Sequence, residues 1–162
     1  MKEFPLPNGQ GKLRYQDMPA CTEREAEKEP LICLHGIGCA GSFDMVNVAA
    51  QGSLRGRRRI LVDLLGAGYS DVPEDFGYAV EDHAACVVAL TEALELKRFA
   101  LFGHSLGGAV ALAMAARCQK GALAGIVLGE GNLDPGGGTF TRRIARWSLE
   151  GWLAEGLDPM LA

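Results

Sequence analysis

The chain has 162 residues, 48% of them apolar and 22% charged, with a formal net charge of −4. That is enough for one domain with a real hydrophobic core, and it leaves no broad positive field to hold a phosphate backbone, so nucleic acid is not an expected partner. The opening MKEFPLPNGQ lacks the apolar centre of a signal peptide and no run approaches bilayer length, so the reading is of a cytoplasmic protein without membrane contact.

Short apolar runs alternate with longer helical patterns, the signature of a parallel sheet covered by helices. PNGQG, from Pro7 to Gly11, reads as a hairpin turn leading into a strand from Lys12 to Met18, an antiparallel pair at the sheet edge. The charged TEREAEKE, Thr22 to Glu29, reads as a solvated loop. A buried strand follows from Leu31 to Leu34 and ends at His35 and Gly36. Ser42 is expected to cap a helix from Phe43 to Gln51. RGRRR, Arg55 to Arg59, reads as a solvated entry to the next buried strand, Arg59 to Leu65.

Val80, Ala84, Val87, Val88, Thr91 and Leu94 recur at helical spacing, with Glu81 and Asp82 in the first turn, where carboxylates suit the helix dipole. A strand is expected from Arg98 to Gly103, then a helix beginning beside Ser105 with Leu106, Ala109, Val110, Ala113, Met114 and Arg117 on one face. Leu123 to Leu128 is a further strand. Beyond Gly138 the pattern is helical and amphipathic, with Ile144, Trp147 and Leu149 as contacts. The expected fold class is α/β: a mostly parallel sheet with helices on both faces.

GHSLGG carries G-x-S-x-G, with Gly103, Ser105 and Gly107 in register. The pattern has weight because a strand precedes it and a small-residue helix follows. The turn between them must be sharp enough to project the serine hydroxyl, and the helix start aims free amides at the place where an oxyanion would form.

Three segments in this order, HGIG (His35 to Gly38), DLLGAGYSD (Asp63 to Asp71) and GHSLGG, resemble the α/β-hydrolase fold family over nearly the whole chain up to Asn132. The resemblance implies a serine hydrolase acting on an ester or related acyl substrate of small to medium size. Ser105 would be the nucleophile, and the backbone amides of Ile37 and Leu106 the oxyanion hole. His35, Gly36 and His104 would border the bound substrate, His35 chiefly as a structural member of its loop with its ring tied to nearby backbone. Asp63 would organise its turn. Glu130 follows the strand after the serine, where some members carry the triad acid, and is weighed equally as a loop carboxylate; Asp134 is a weaker candidate.

The family also implies a base His on a loop after the last strand, yet His35, His83 and His104 all precede Ser105. The expectation is therefore an incomplete hydrolase core over residues 1–135 and the start of a helical lid over 136–162, with the C-terminal strands missing, low activity alone, and self-association through the exposed edge of the Leu123 to Leu128 strand. A non-catalytic ligand-binding or interaction module on the same scaffold is the alternative, and perhydrolysis or C–C bond cleavage on the same turn stays open.

No cofactor and no metal are expected. GIGCAG, Gly36 to Gly41, matches a dinucleotide-type spacing, but the preceding His and the later serine turn fit a hydrolase better. Cys33, His35 and Cys39 lie close in sequence without an evident fourth zinc ligand, and five cysteines without CxxC spacing read as reduced thiols.

Overall fold

The computed structural model describes residues 1–7, 9–21, 28–131 and 139–156, with the side chains of 139–141 left aside. It divides into two compact units, Met1–Gly131 and Asn132–Ala162. The expected boundary at 135/136 and Asp134 lie outside the described residues, as does most of the charged loop after Cys21.

The first unit is a six-stranded sheet: β1 (Lys2–Pro5), β2 (Lys12–Met18), β3 (Leu31–Leu34), β4 (Arg59–Asp63), β5 (Phe99–His104) and β6 (Leu123–Gly129), in the order β1-β2-β4-β3-β5-β6. The β1–β2 and β2–β4 pairs are antiparallel; β4, β3, β5 and β6 run parallel. The hairpin is closed by Leu6 N–H donating to Gly11 O at 2.9 Å.

Period-two alternation sends the two halves of each central strand to different cores. Ile32, Leu34, Ile60, Val62, Phe99 and Leu101 join Val87, Leu90, Val110 and Met114 of α3 (Val80–Ala93) and α4 (Leu106–Ala115) on one face. Leu31, Cys33 and Leu61 join Met45 and Ala49 on the other. Because both faces are covered, β3 and β4 are buried at every position, which is why β3 and the Ile60–Val62 centre of β4 read as apolar runs. Each fully buried Leu, Ile or Val here contributes roughly 1.5–3 kcal/mol over its exposed state. Burial pushes the Cys33 thiol up to about 12. All five cysteines are free.

Several local expectations are corrected. The helix from Phe43 to Gln51 is two short helices, α1 (Gly41–Asp44) and α2 (Val46–Ala49), followed by a single 3₁₀ turn at Gly52–Leu54. Ser42 caps neither; its N–H and hydroxyl both donate to the Asp63 carboxylate, at 2.7 and 2.8 Å. Arg59 is not solvated: it is 4% exposed, with Nη1 donating to Leu54 O at 3.2 Å. Arg58 forms a two-point bridge to Asp17 at 2.8 and 2.9 Å, which holds that carboxyl down at about 2. On α4 the buried face is Gly107, Gly108, Val110, Ala111 and Met114, and Arg117 is exposed. The glycines at the start of the helix let it approach the sheet closely, and Val110 and Met114 pack into the core beside them.

The second unit holds α5 (Thr139–Ile144), α6 (Leu149–Gly151) and one π-helical turn, Trp152–Gly156. Trp147 meets Trp152 edge-on at 6.3 Å, but Leu149 is 75% exposed rather than in contact. Among the described residues no helix is long and apolar enough to cross a membrane.

Candidate active site

Ser105 sits between the last residue of β5 and the first of α4, with φ 51° and ψ −116°. An L-residue in that region is strained by about 1–3 kcal/mol, and the surroundings must over-determine it. They do so with main chain. Ser105 N–H donates to Gly129 O on β6 at 2.9 Å, and Ser105 O accepts from Gly108 N–H at 2.9 Å. A Cβ on Gly103 would stand 2.6 Å from the Gly107 carbonyl carbon, and one on Gly107 would stand 2.7 Å from His35 O. Only glycines allow β5, α4 and the end of β3 to approach this closely.

The loop after β3 is packed against the same turn. A Cβ on Gly36 would lie 3.0 Å from His104 Nδ1 and 3.2 Å from Ser105 Cβ. Next to it Ile37 exposes 58% of its surface, and its amide makes no backbone hydrogen bond among the described residues. The Leu106 amide, first of α4, also has none. Two donors thus flank the serine without partners, beside the positive end of a ten-residue helix.

His35 is 2% exposed and uses both ring nitrogens. Nε2 accepts from Leu64 N–H at 3.0 Å, which places the proton on Nδ1, and Nδ1–H donates to Gly36 O at 2.7 Å. The ring therefore bridges the loop after β3 to the loop after β4 and has no nitrogen left for a substrate. Burial lowers its pKa, against smaller opposing effects of the Gly36 bond and of the Asp63 and Asp44 charges.

Asp63, fully buried, ties the same loops a second time: besides the two bonds from Ser42 it accepts from Tyr69 N–H at 2.9 Å, and its own carbonyl takes the Ser70 hydroxyl at 2.6 Å. The organising part expected for it is visible in these four bonds. No sequence signal separated the Ser42 contact from a helix cap.

The remaining titratable groups stand apart from the hydroxyl. Glu130, at φ 53° just past β6, has an 89% exposed side chain whose Oε2 is 3.7 Å from His104 Nε2. His83 is 5% exposed on α3, stacked edge-on against Phe76, with Nδ1 unpartnered. Burial, then the nearby His35, lowers its pKa. The Ser105 hydroxyl has no hydrogen-bond partner among the described residues, so none of the three imidazoles is bonded to it.

A parallel sheet wrapped by helices, with a strained serine on the turn after its fifth strand, defines the class of protein. Residues 29–155 match the model of the alpha/beta hydrolase fold. The chain belongs to that family. It is 38% identical over 105 residues to a proline iminopeptidase of Lactobacillus crispatus, covering 62% of this chain and 35% of that protein. It is 43% identical over 90 residues to a 2-hydroxy-6-oxo-2,4-heptadienoate hydrolase of Pseudomonas putida, covering 54% and 32%. A solved hydrolase structure from Pseudomonas aeruginosa superposes with a TM-score of 0.71 at 26% identity, covering 90% of this chain and 51% of that one. The chain thus spans about a third of the curated relatives it matches and about half of that structure.

Proposed function

We propose that this chain carries the nucleophile half of a serine hydrolase acting on an ester or related acyl substrate of small to medium size. Ser105 is the nucleophile, and the observation that carries the reading is its strained placement between β5 and α4 beside two unpartnered amides. Its Oγ adds to the substrate carbonyl carbon while its proton passes to a base. The carbonyl oxygen becomes an oxyanion held by the Ile37 and Leu106 N–H groups, and the leaving group departs as the carbonyl re-forms. Two such fixed donors supply roughly 3 kcal/mol each. Gly36 and His104 border the substrate, and His35 acts from behind by fixing the carbonyl of Gly36.

The base is an imidazole beyond the three histidines of this sequence. The occupied nitrogens of His35, the buried ring of His83 and the Glu130-facing ring of His104 support this, as does the half-length match to known hydrolases. Glu130, one residue past the carbonyl that holds Ser105, is our candidate for the carboxylate that orients that imidazole, weighed equally as a loop carboxylate facing His104. Turnover by this chain alone is low.

The strand LAGIVLG of β6 carries no charge, pairs on one side only among the described residues and exposes 60% of Val127, which supports self-association through that edge. Five free thiols support a reducing, cytoplasmic location.

A fluorophosphonate probe tests the assignment: where the site is assembled with its base, it labels the parent protein and not Ser105→Ala. Equal labelling of both removes Ser105 from the role. Ligand binding that survives Ser105→Ala, with no labelling of the parent, favours a non-catalytic binding module on the same scaffold.

A further inference from the structure

A cavity of about 530 Å³ in the first unit lies far from Ser105. Phe99, in its floor, opens β5, and Ser105 follows the last residue of that strand, so the two are a strand length apart, about 20 Å at roughly 3.3 Å per residue. The volume is of ligand size. The floor is apolar: Val88, Leu96, Phe99 and Ala122. Thr91 faces the same space with its hydroxyl already committed to Val88 O at 2.7 Å, so it brings no free polar group.

The charge is on the rim. Glu92 and Glu95 stand there against a single ammonium, Lys97, and Gln119 completes the polar edge. The carboxyl ends of α3 and α4 both lead to this end of the sheet, since α3 runs into β5 and α4 into the turn before β6. Each end adds about half a negative charge. Glu95, the residue after the α3 C-cap Leu94, stands at φ 52°, a conformation usually left to glycine, and its carboxylate lies on the cavity edge. Cys118 forms part of the wall, close enough to Glu92 for that charge, after burial, to raise its pKa.

We propose that this cavity is a second binding site, separate from the serine, for an apolar molecule bearing one positive charge. The alkyl or aryl body covers Phe99 and Leu96, and the cation lies between Glu92 and Glu95. Neutral molecules lose the electrostatic share, and anions meet two carboxylates and two negative helix ends against the one Lys97 ammonium.

Cys118 reports occupancy directly. The full chain is alkylated with iodoacetamide at alkaline pH, and Cys118 is followed by peptide mass spectrometry, with the exposed Cys21 as internal reference. Octyltrimethylammonium slows Cys118 alkylation about fivefold or more relative to Cys21, while octanesulfonate at the same concentration leaves it within about twofold, the difference expected for one screened charge pair. In Glu92→Gln/Glu95→Gln, both exposed positions whose replacement leaves the core intact, the two compounds become equivalent. Equal protection by both compounds in the parent, or protection by neither, overturns the proposal.

Discussion

Replacing Ser105 by glycine should make the protein more stable. At φ 51° and ψ −116° the serine pays about 1–3 kcal/mol of backbone strain, and glycine pays almost none there. Against this stands the larger unfolded-state entropy of glycine, about 0.5–1 kcal/mol. The Oγ makes no hydrogen bond among the described residues, so its removal costs no bonded partner. The net expectation is a gain of about 1 kcal/mol, and for a domain of this size about 2–4 °C in Tm. Ser105→Ala keeps the Cβ, hence the strain, and should lie within about 0.5 kcal/mol of the parent. Urea denaturation of the three proteins side by side, with unchanged m-values, measures both differences. A Ser105→Gly protein less stable than Ser105→Ala would refute the claim that the turn is strained at this residue.

Gly107→Ala places a methyl against the carbonyls of Leu34 and His35, neither of which can retreat without breaking the sheet; a loss of more than about 3 kcal/mol in urea is expected, together with loss of fluorophosphonate labelling. His35 and His83 both have lowered pKa values in the folded chain, so between their folded values and about 6.5 the unfolded chain binds more protons, and stability falls as pH drops below about 6.5. His83→Phe should flatten the acid limb of a urea-midpoint titration, and an unchanged limb would count against it. Val127→Lys, placing a charge on the open strand, should shift self-association measured by light scattering toward monomer at equal concentration.

What could be read from the sequence was what local pattern encodes. The apolar runs of β3 and of the centre of β4, the glycines around Ser105 and the helical spacing of α3 depend on neighbours a few residues away, and they gave the sheet, its two helical faces and the serine turn. What escaped depends on partners distant in the chain. Ser42 looks like a cap until Asp63, 21 residues on, is seen to take both its donors, and the expected helix is divided at Met45. Arg59 sits in a basic run yet occupies a buried strand position with its guanidinium on Leu54 O. The buried side of α4 is set by how closely the sheet approaches it, which spacing alone does not report.

The serine hydroxyl is positioned by carbonyls, amides and the absence of side chains, and none of the exposed residues on neighbouring loops takes part in holding it. Substitutions of the exposed Ile37 side chain therefore leave the main-chain bonds that hold Ser105 unchanged. In such an architecture the serine turn is insulated from changes in the side chains exposed around it.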